Sequence, residues 1–309
     1  MWYDAAMNMN QLKIFHSVAR LLNFTRASEE LHLTQPGISK HIKALEEYYG
    51  TPLFDRLGKR VVLTQAGEIL YKATTSVFTL LDESKSRIDD LAALTGGKLN
   101  IGGSVTISTY ILPGMLMKFR KNAPAVEISV DTAFSRQIVD KVLDNTLELG
   151  FVGHYQPDAR LAVRVFMTDR MALVVSPRHP WAKRKSPVRL TELANQMYLL
   201  SKQGSGTWQL VSHLLDSSGI VLNNTMELGT TEGLKQAVAA GLGISILSKH
   251  VLVGELSSGM LLEIPLACEG LERDLFLVYH KDRYLSQAAR AFIALFDIHV
   301  TDVQHQQQM

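Results

Sequence analysis

Cysteine is almost absent: Cys268 is the single one in 309 residues, which excludes an internal disulfide framework and suits a reducing cytoplasm. A lone thiol with no partner is expected to be inert rather than a redox sensor. No apolar run is long enough to cross a membrane. The opening MWYDAAMNMN lacks the basic and apolar regions of a signal peptide, and Met7 or Met9 would serve as well as Met1 for the start. Net charge is scarce too, +2 in all, with eight Lys/Arg against six Asp/Glu in the first 66 residues. Total charge therefore says nothing about nucleic acid, and only the placement of basic residues can. The ten histidines are scattered without zinc spacing, so no metal is expected. There is no GxSxG elbow, Walker A loop or GxGxxG fingerprint. GGKLNIGG is two glycine turns around a strand. No catalytic residue and no cofactor are expected.

Hydrophobic residues make up 46% of the chain, enough for sizeable cores, and the length supports two or three domains. The most informative stretch is residues 24–63. Leu12, Phe15, Val18, Ala19 and Leu22 recur at helical spacing just ahead of it and predict one buried stripe. Thr25 is a candidate cap for a second helix, with Ala27 and Leu31 inward and a turn at His32-Leu33. Thr34 is a natural N-cap for a third helix, with Pro36 in its first turn, where a missing N–H costs nothing. Ile38, Ile42, Leu45 and Tyr49 fall on one face of that helix; Gln35, Pro36, Ser39, Lys40 and Lys43 fall largely on the other. Gln and Ser can read base edges, and a Pro ring can touch a thymine methyl. Lys40, Lys43, Arg56, Lys59 and Arg60 suit phosphates. A helix for the major groove followed by a basic hairpin is the order a winged helix-turn-helix needs.

These residues resemble the LysR-type transcriptional regulators. The pattern comprises Phe24-Thr25-Arg26-Ala27, Leu31, Gln35-Pro36, Ser39, Leu45-Glu46, Gly50, Leu53-Phe54, Arg56 and Leu63-Thr64-Gln65-Ala66-Gly67. Ser28 stands where a second small Ala is usual. The resemblance implies that Ala27, Gln35, Pro36, Ser39 and Lys40 approach bases, with Arg56 on the backbone and Thr25, Arg26, Lys43 and Arg60 completing the DNA-binding set. It continues more loosely to about Phe296.

Ala66, Leu70, Ala73, Val77, Leu80, Ser84, Arg87/Ile88, Leu91 and Leu94 approximate a heptad. They predict a rod from Thr64 to about Leu94, roughly 45 Å long, with a second rod as its cover. From Gly97 strands and helices alternate. One series has strands at KLNIGG, Val126–Asp131 and Leu147–Val152, with helices over Ile107–Asn122 and Ser135–Asn145. The other has MALVVS, MYLL, TMELG and GISIL as strands. Alternation implies parallel sheets covered on both faces. The chain is expected to cross between two lobes near Thr168–Arg170 and to return near Lys281 for a last helix, Ser286–Phe296. The resemblance implies a periplasmic-binding-protein-like effector domain. Ligands in such sheets sit outside the carboxyl ends of the strands, and polar turns opening helices are anion sites. Ser104, Thr106, Phe134, Ser135, Ser201, Gly204, Ser205, Thr207, Thr230 and Thr231 are the candidates. The GSGT turn resembles the branch of the family that senses small anions. Trp208 stands where that branch often has arginine, which favours an uncharged or aromatic-bearing ligand over a doubly charged one.

The expected fold is therefore multidomain: an all-α winged helix-turn-helix (8–66), a linker and dimerisation helix (67–95), and a two-lobed α/β effector domain (96–298). Lobe I would hold 96–168 and 282–298, lobe II 169–281, with a disordered tail at 299–309. The expected function is cytoplasmic, sequence-specific regulation of transcription from double-stranded DNA, modulated by a small-molecule effector, expected to be anionic, bound between the two lobes. Dimers would form through the linker helix, with tetramers implied by the resemblance and RNA polymerase left open as a partner. The competing reading is a two-lobed small-molecule binder or enzyme with an appended helical domain.

Overall fold

The computed structural model describes residues 7–57, 60–91, 97–268 and 271–295. The expected helix end at Leu94, Lys59, the Arg56 side chain, Phe296 and the tail lie outside what it describes. The chain forms two compact units, one reaching Ile88 and taking in Asp144–Thr146, the other holding the remainder from Asp89.

In the first unit α1 (Met9–Leu21), α2 (Phe24–Leu31) and α3 (Gln35–Tyr49) precede an antiparallel hairpin, β1 (Phe54–Leu57) and β2 (Arg60–Leu63), and then the long α4 (Gln65–Leu91). Ile14, Phe15, Val18, Ala27, Ile38, Ile42, Leu45, Leu53 and Leu70 bury one core. Two expected inward residues are not inside. Leu22 is the left-handed C-cap of α1, and Tyr49 is exposed at the end of α3. The second helix starts earlier than expected: Asn23, not Thr25, is its N-cap, accepting from the Arg26 N–H at 3.0 Å. Both are capping residue types, but only Asn23 sits three residues ahead of that free donor.

Several motif residues turn out to serve the scaffold. Glu46 Oε1 accepts from the Leu53 N–H at 2.8 Å and ties α3 to the chain entering the wing. Gly50 caps α3 at φ +66°, letting Thr51 N–H reach the Glu46 carbonyl, a left-handed closure for which glycine costs least. A Cβ added at Gly67 would run into the Leu53 carbonyl, so only glycine allows α4 to start against the wing. Beyond that start α4 leaves Leu80 51% and Ile88 65% exposed, with Val77 and Leu81 also uncovered.

The second unit begins with β3 (Gly97–Ser104), then a π-helical segment (Ile107–Ile111) running into α5 (Leu112–Asn122). β4 (Val126–Ala133), α6 (Ser135–Leu143) and β5 (Leu149–Val152) follow. β3 lies between β4 and β5, parallel to both. The first lobe closes over Leu99, Ile101, Phe119, Phe151, Leu277 and Phe292, with Phe119 and Phe151 each set edge-on to Phe292. The second lobe carries β7 (Val188–Arg189), α7 (Leu190–Leu193), β8 (Met197–Ser201), α8 (Gly206–Ser217), β9 (Asn224–Leu228), α9 (Thr231–Ala239), β10 (Ser245–Ser248), α10 (Val253–Ser257), β11 (Leu262–Ile264) and β12 (Leu266–Ala267).

Two long strands join the lobes: β6 (Leu161–Val175) and β13 (Glu272–His280), antiparallel to each other. The expected strand MALVVS is the second half of β6. Its first half pairs with β13, and β13 also pairs with β5. β10 and β11 add to β6 antiparallel. The pairs β3–β4, β3–β5 and β8–β9 are parallel as expected; the large sheet is mixed because both crossings between lobes are strands that pair antiparallel. Leu275 and Leu277 belong to the first core, so the return crossing comes ahead of Lys281. The final helix, α11 (Gln287–Ala294), is capped by Ser286, which accepts from Ala289 N–H.

Candidate functional site

The third helix presents a polar face because its apolar face is spent on the core. Thr34 Oγ1 accepts from the Gly37 N–H at 3.3 Å, and Pro36 lies in the first turn. Ile38, Ile42 and Leu45 are buried beneath, leaving Gln35, Pro36, Lys40 and Lys43 exposed and Ser39 half-buried. Lys43 has only a loose ion pair, 3.8 Å to Glu47, with both side chains in solvent, so its charge is available. The turn ahead is tight: His32 takes φ +52°, and Leu33 N–H closes back on the Ser28 carbonyl. Thr25 and Arg26 are exposed on α2, and Arg60 on the wing strand β2. Ala27 faces inward as its spacing predicts, away from the base contact that the resemblance implies. It is 0% exposed and packs in the core, so its methyl lies beneath this face rather than on it.

In the second unit the candidate turns gather where the lobes meet. Lys202, after β8, holds its ammonium 5.5 Å from the Phe134 ring, after β4. Lys235 on α9 stands 5.2 Å from the Tyr110 ring of the first lobe. Burial works against the Lys235 charge, but Glu232 and Glu255, at 2.8 and 2.7 Å, hold its pKa above the usual lysine range. The two contacts bring the turns after β3 and β4 opposite those before α8 and α9.

Several candidate hydroxyls already have partners. Ser205 Oγ accepts from Trp208 N–H at 3.1 Å and donates to Ser201 Oγ at 3.0 Å. Thr230 Oγ1 accepts from Gly233 N–H at 3.0 Å. Gly204 has φ +83°, the left-handed turn that lets the chain enter α8. Thr207 and Thr231 lie in the first turns of α8 and α9, and Ser104 ends β3. Thr106 precedes the π-helical segment without capping it. Ser135 opens α6 and is buried, and its Oγ has no hydrogen-bond partner among the described residues.

One buried charged pair at this junction was not among the residues expected. Arg273 on β13 lies opposite Asp169 on β6. Its Nε and Nη2 donate to Asp169 Oδ2 at 3.0 and 2.9 Å, while Ser248 Oγ at the end of β10 donates to Oδ1 at 2.6 Å. Asp169 is 0% exposed and the Arg273 side chain only 10%. The pair is 104 residues apart in sequence, so no local pattern marks it. Among the described residues no cluster of His, Cys, Asp and Glu could hold a metal ion, and no helix is long and apolar enough to cross a membrane.

Comparison with known proteins agrees with both units. Residues 9–68 match the model "Bacterial regulatory helix-turn-helix protein, lysR family", and residues 92–299 match "LysR substrate binding domain". The HTH-type transcriptional activator CmpR of Synechocystis sp. PCC 6803 is 32% identical over 285 residues, covering 92% of this chain and 93% of that one. Full-length CbnR complexed with its target DNA shares the fold at TM-score 0.69 and 21% identity, over 94% of this chain and 99% of that one. The Synechocystis PCC 6803 CcmR regulatory domain in complex with 2-PG is similar at TM-score 0.60 and 26% identity, over 65% of this chain and 95% of that one. A helix-turn-helix unit followed by a two-lobed substrate-binding domain, matched along nearly its whole length, places the chain in the LysR family of transcriptional regulators.

Proposed function

We propose that Gln35, Pro36 and Ser39 read base edges in the major groove while Lys40, Lys43, Arg56 and Arg60 hold phosphates, with Thr25 and Arg26 at the groove's edge. The observation that carries this reading is the α3 face, exposed and polar on one side and bonded into the core on the other. We divide the chain for this purpose at 8–66, 67–95 and 96–298. The ligand site is the junction of the lobes, lined by the Ser104–Thr106, Phe134–Ser135, Ser201–Thr207 and Thr230–Thr231 turns. The ligand shifts the relation of the lobes, which alters DNA binding; by linkage, DNA changes ligand affinity by the same factor.

The exposed Val77, Leu80 and Ile88 of α4 favour pairing of two chains along this helix, which would set two recognition helices on two half-sites. Tetramers built from such dimers, contact with RNA polymerase and a cytoplasmic location belong to the same reading. The chain acts as a switch and not as an enzyme, a reading supported by relatives such as CmpR, a transcriptional activator. Titrating the full chain onto the DNA upstream of its own gene and onto a random duplex, across a salt series, tests the reading. Tighter binding to the cognate duplex, with a steep salt slope, is expected. Equal affinity for both at every salt concentration would refute sequence-specific recognition.

A further inference from the structure

The first unit holds a half-buried titratable group that the DNA-contacting face does not use. His16 meets α4 from α1: its Nδ1 lies 3.2 Å from Thr74 Oγ1. Its ring stacks on Tyr71 with centroids 5.1 Å apart, and Phe78 stands edge-on to it at 5.3 Å. Thr74 is 2% exposed, a buried hydroxyl on a helix whose neighbouring Ala73, Ser76 and Val77 are in solvent. Leu70, Thr74 and Phe78 recur at four-residue steps and so share one face of α4. That face meets the helix-turn-helix core, while Val77, Leu80 and Ile88 stay open.

The neutral ring fits this pocket in one tautomer. Thr74 Oγ1 donates its single proton to the Tyr71 carbonyl at 3.0 Å, so toward Nδ1 it offers a lone pair. Nδ1 therefore carries the proton, and Nε2 is the atom that takes a second one in acid. The surroundings oppose that second proton. Burial strips water from an imidazolium and the Arg20 guanidinium on the same helix repels it, so the pKa lies below the ordinary histidine value despite the attraction of Glu30 on α2. Glu30 is itself engaged, ion-paired with Arg20 and accepting from Ser17 Oγ at 3.1 Å. From α4 the titratable group at the ring is the Tyr71 phenol, and α3 turns the apolar Ile38, Ile42 and Leu45 to this core.

We propose that His16 is a proton-operated joint between the helix-turn-helix and α4: the neutral ring locks α1 onto the long helix, and the protonated ring releases it. This rests on the reading of α3 as the DNA-contacting helix and of α4 as the pairing helix, and adds a regulation to it. Two recognition helices engage two half-sites together only when each is held at a fixed angle to the paired rods. A loosened joint leaves each helix able to bind one half-site but lowers the effective concentration of the second. Because the locked form disfavours the imidazolium, the lock is fully present above about pH 6.5 and is lost as pH falls through the lower value of the folded chain.

The test measures binding of the full chain at constant ionic strength, from about pH 8 to about pH 5.5, across the histidine range. One duplex is the DNA upstream of its own gene; the other is the same duplex with one footprinted half-site scrambled. Affinity for the paired site should fall about 3- to 10-fold toward acid, within the roughly tenfold per pH unit that one proton per chain permits. Affinity for the single half-site should not fall. His16→Gln removes the titrating ring and should flatten the paired-site profile. Arg20→Gln alters a side chain that is 46% exposed and removes the charge that repels the imidazolium. It should move the midpoint of the profile to higher pH, which a merely structural role for the cluster would not do. An unchanged profile in His16→Gln, an unmoved midpoint in Arg20→Gln, or equal loss on both duplexes would overturn the proposal while leaving DNA recognition standing. No binding to either duplex at neutral pH would instead sink the regulator reading, and the joint with it.

Discussion

Replacing Asp169 by Ala should be among the most damaging single changes in the second unit. Its carboxylate is fully buried and accepts from Arg273 Nε and Nη2 and from Ser248 Oγ. Removing it leaves a guanidinium nine-tenths buried with no counter-charge, and breaking a buried pair from one side costs about 3–5 kcal/mol. With a urea m-value of about 2–3 kcal/mol/M, the midpoint should fall by about 1–2.5 M. Trp181 and Trp208 both lie in the second lobe, so fluorescence follows the transition directly. The companion variant Asp169→Ala with Arg273→Met removes both charges. It should be more stable than the single one, because no charge is then left buried unpaired. A single-variant loss below about 1 kcal/mol, or a double variant less stable than the single, would refute the argument that the pair is a closed electrostatic unit.

Gln35→Ala and Ser39→Ala should reduce the preference for cognate over random DNA, each by about 1–3 kcal/mol in direct-titration assays. Lys43→Ala should instead weaken both duplexes alike and lower the salt slope by about one; identical behaviour of all three would contradict the face assignment. Leu80→Arg, on the uncovered part of α4, should convert the dimer to monomer by sedimentation, and an unchanged mass would sink pairing through that helix. His16, bonded to Thr74 at 3.2 Å and stacked against Tyr71, has its pKa lowered by burial and then by the Arg20 charge. The unfolded chain therefore binds its proton first, and stability from this site is lost as pH falls from about 6.5 through the lower folded value. His16→Gln should flatten the pH dependence of the melting temperature in that window; the same slope in both proteins would show that His16 does not carry it.

The helix-turn-helix was legible because its signals are local. Thr34, Pro36 and the Ile38–Ile42–Leu45 spacing each act within one helix, and the structure keeps all three. Local signals also misled: Asn23 and Thr25 are equally good caps by type, and only the spacing to Arg26 N–H decides between them. Ala27 was legible as inward-facing from its periodicity, and that burial is what separates it from the exposed face. The crossing strands were harder. The Thr168-Asp169-Arg170 run breaks β6 into what reads as a boundary and a new strand, whereas the polar residues mark the point where one strand passes between lobes. Arg273 was invisible for a related reason. Its meaning comes from Asp169 on another strand, 104 residues away in sequence.

The most direct test of the account is a footprint of the full chain on the DNA upstream of its own gene, at moderate salt, with and without small anions. The account predicts a protected pair of half-sites whose pattern shifts with one of the anions. Absence of protection at any salt concentration, or a pattern that no ligand alters, would contradict a switch in which the cleft controls the helix that reads DNA.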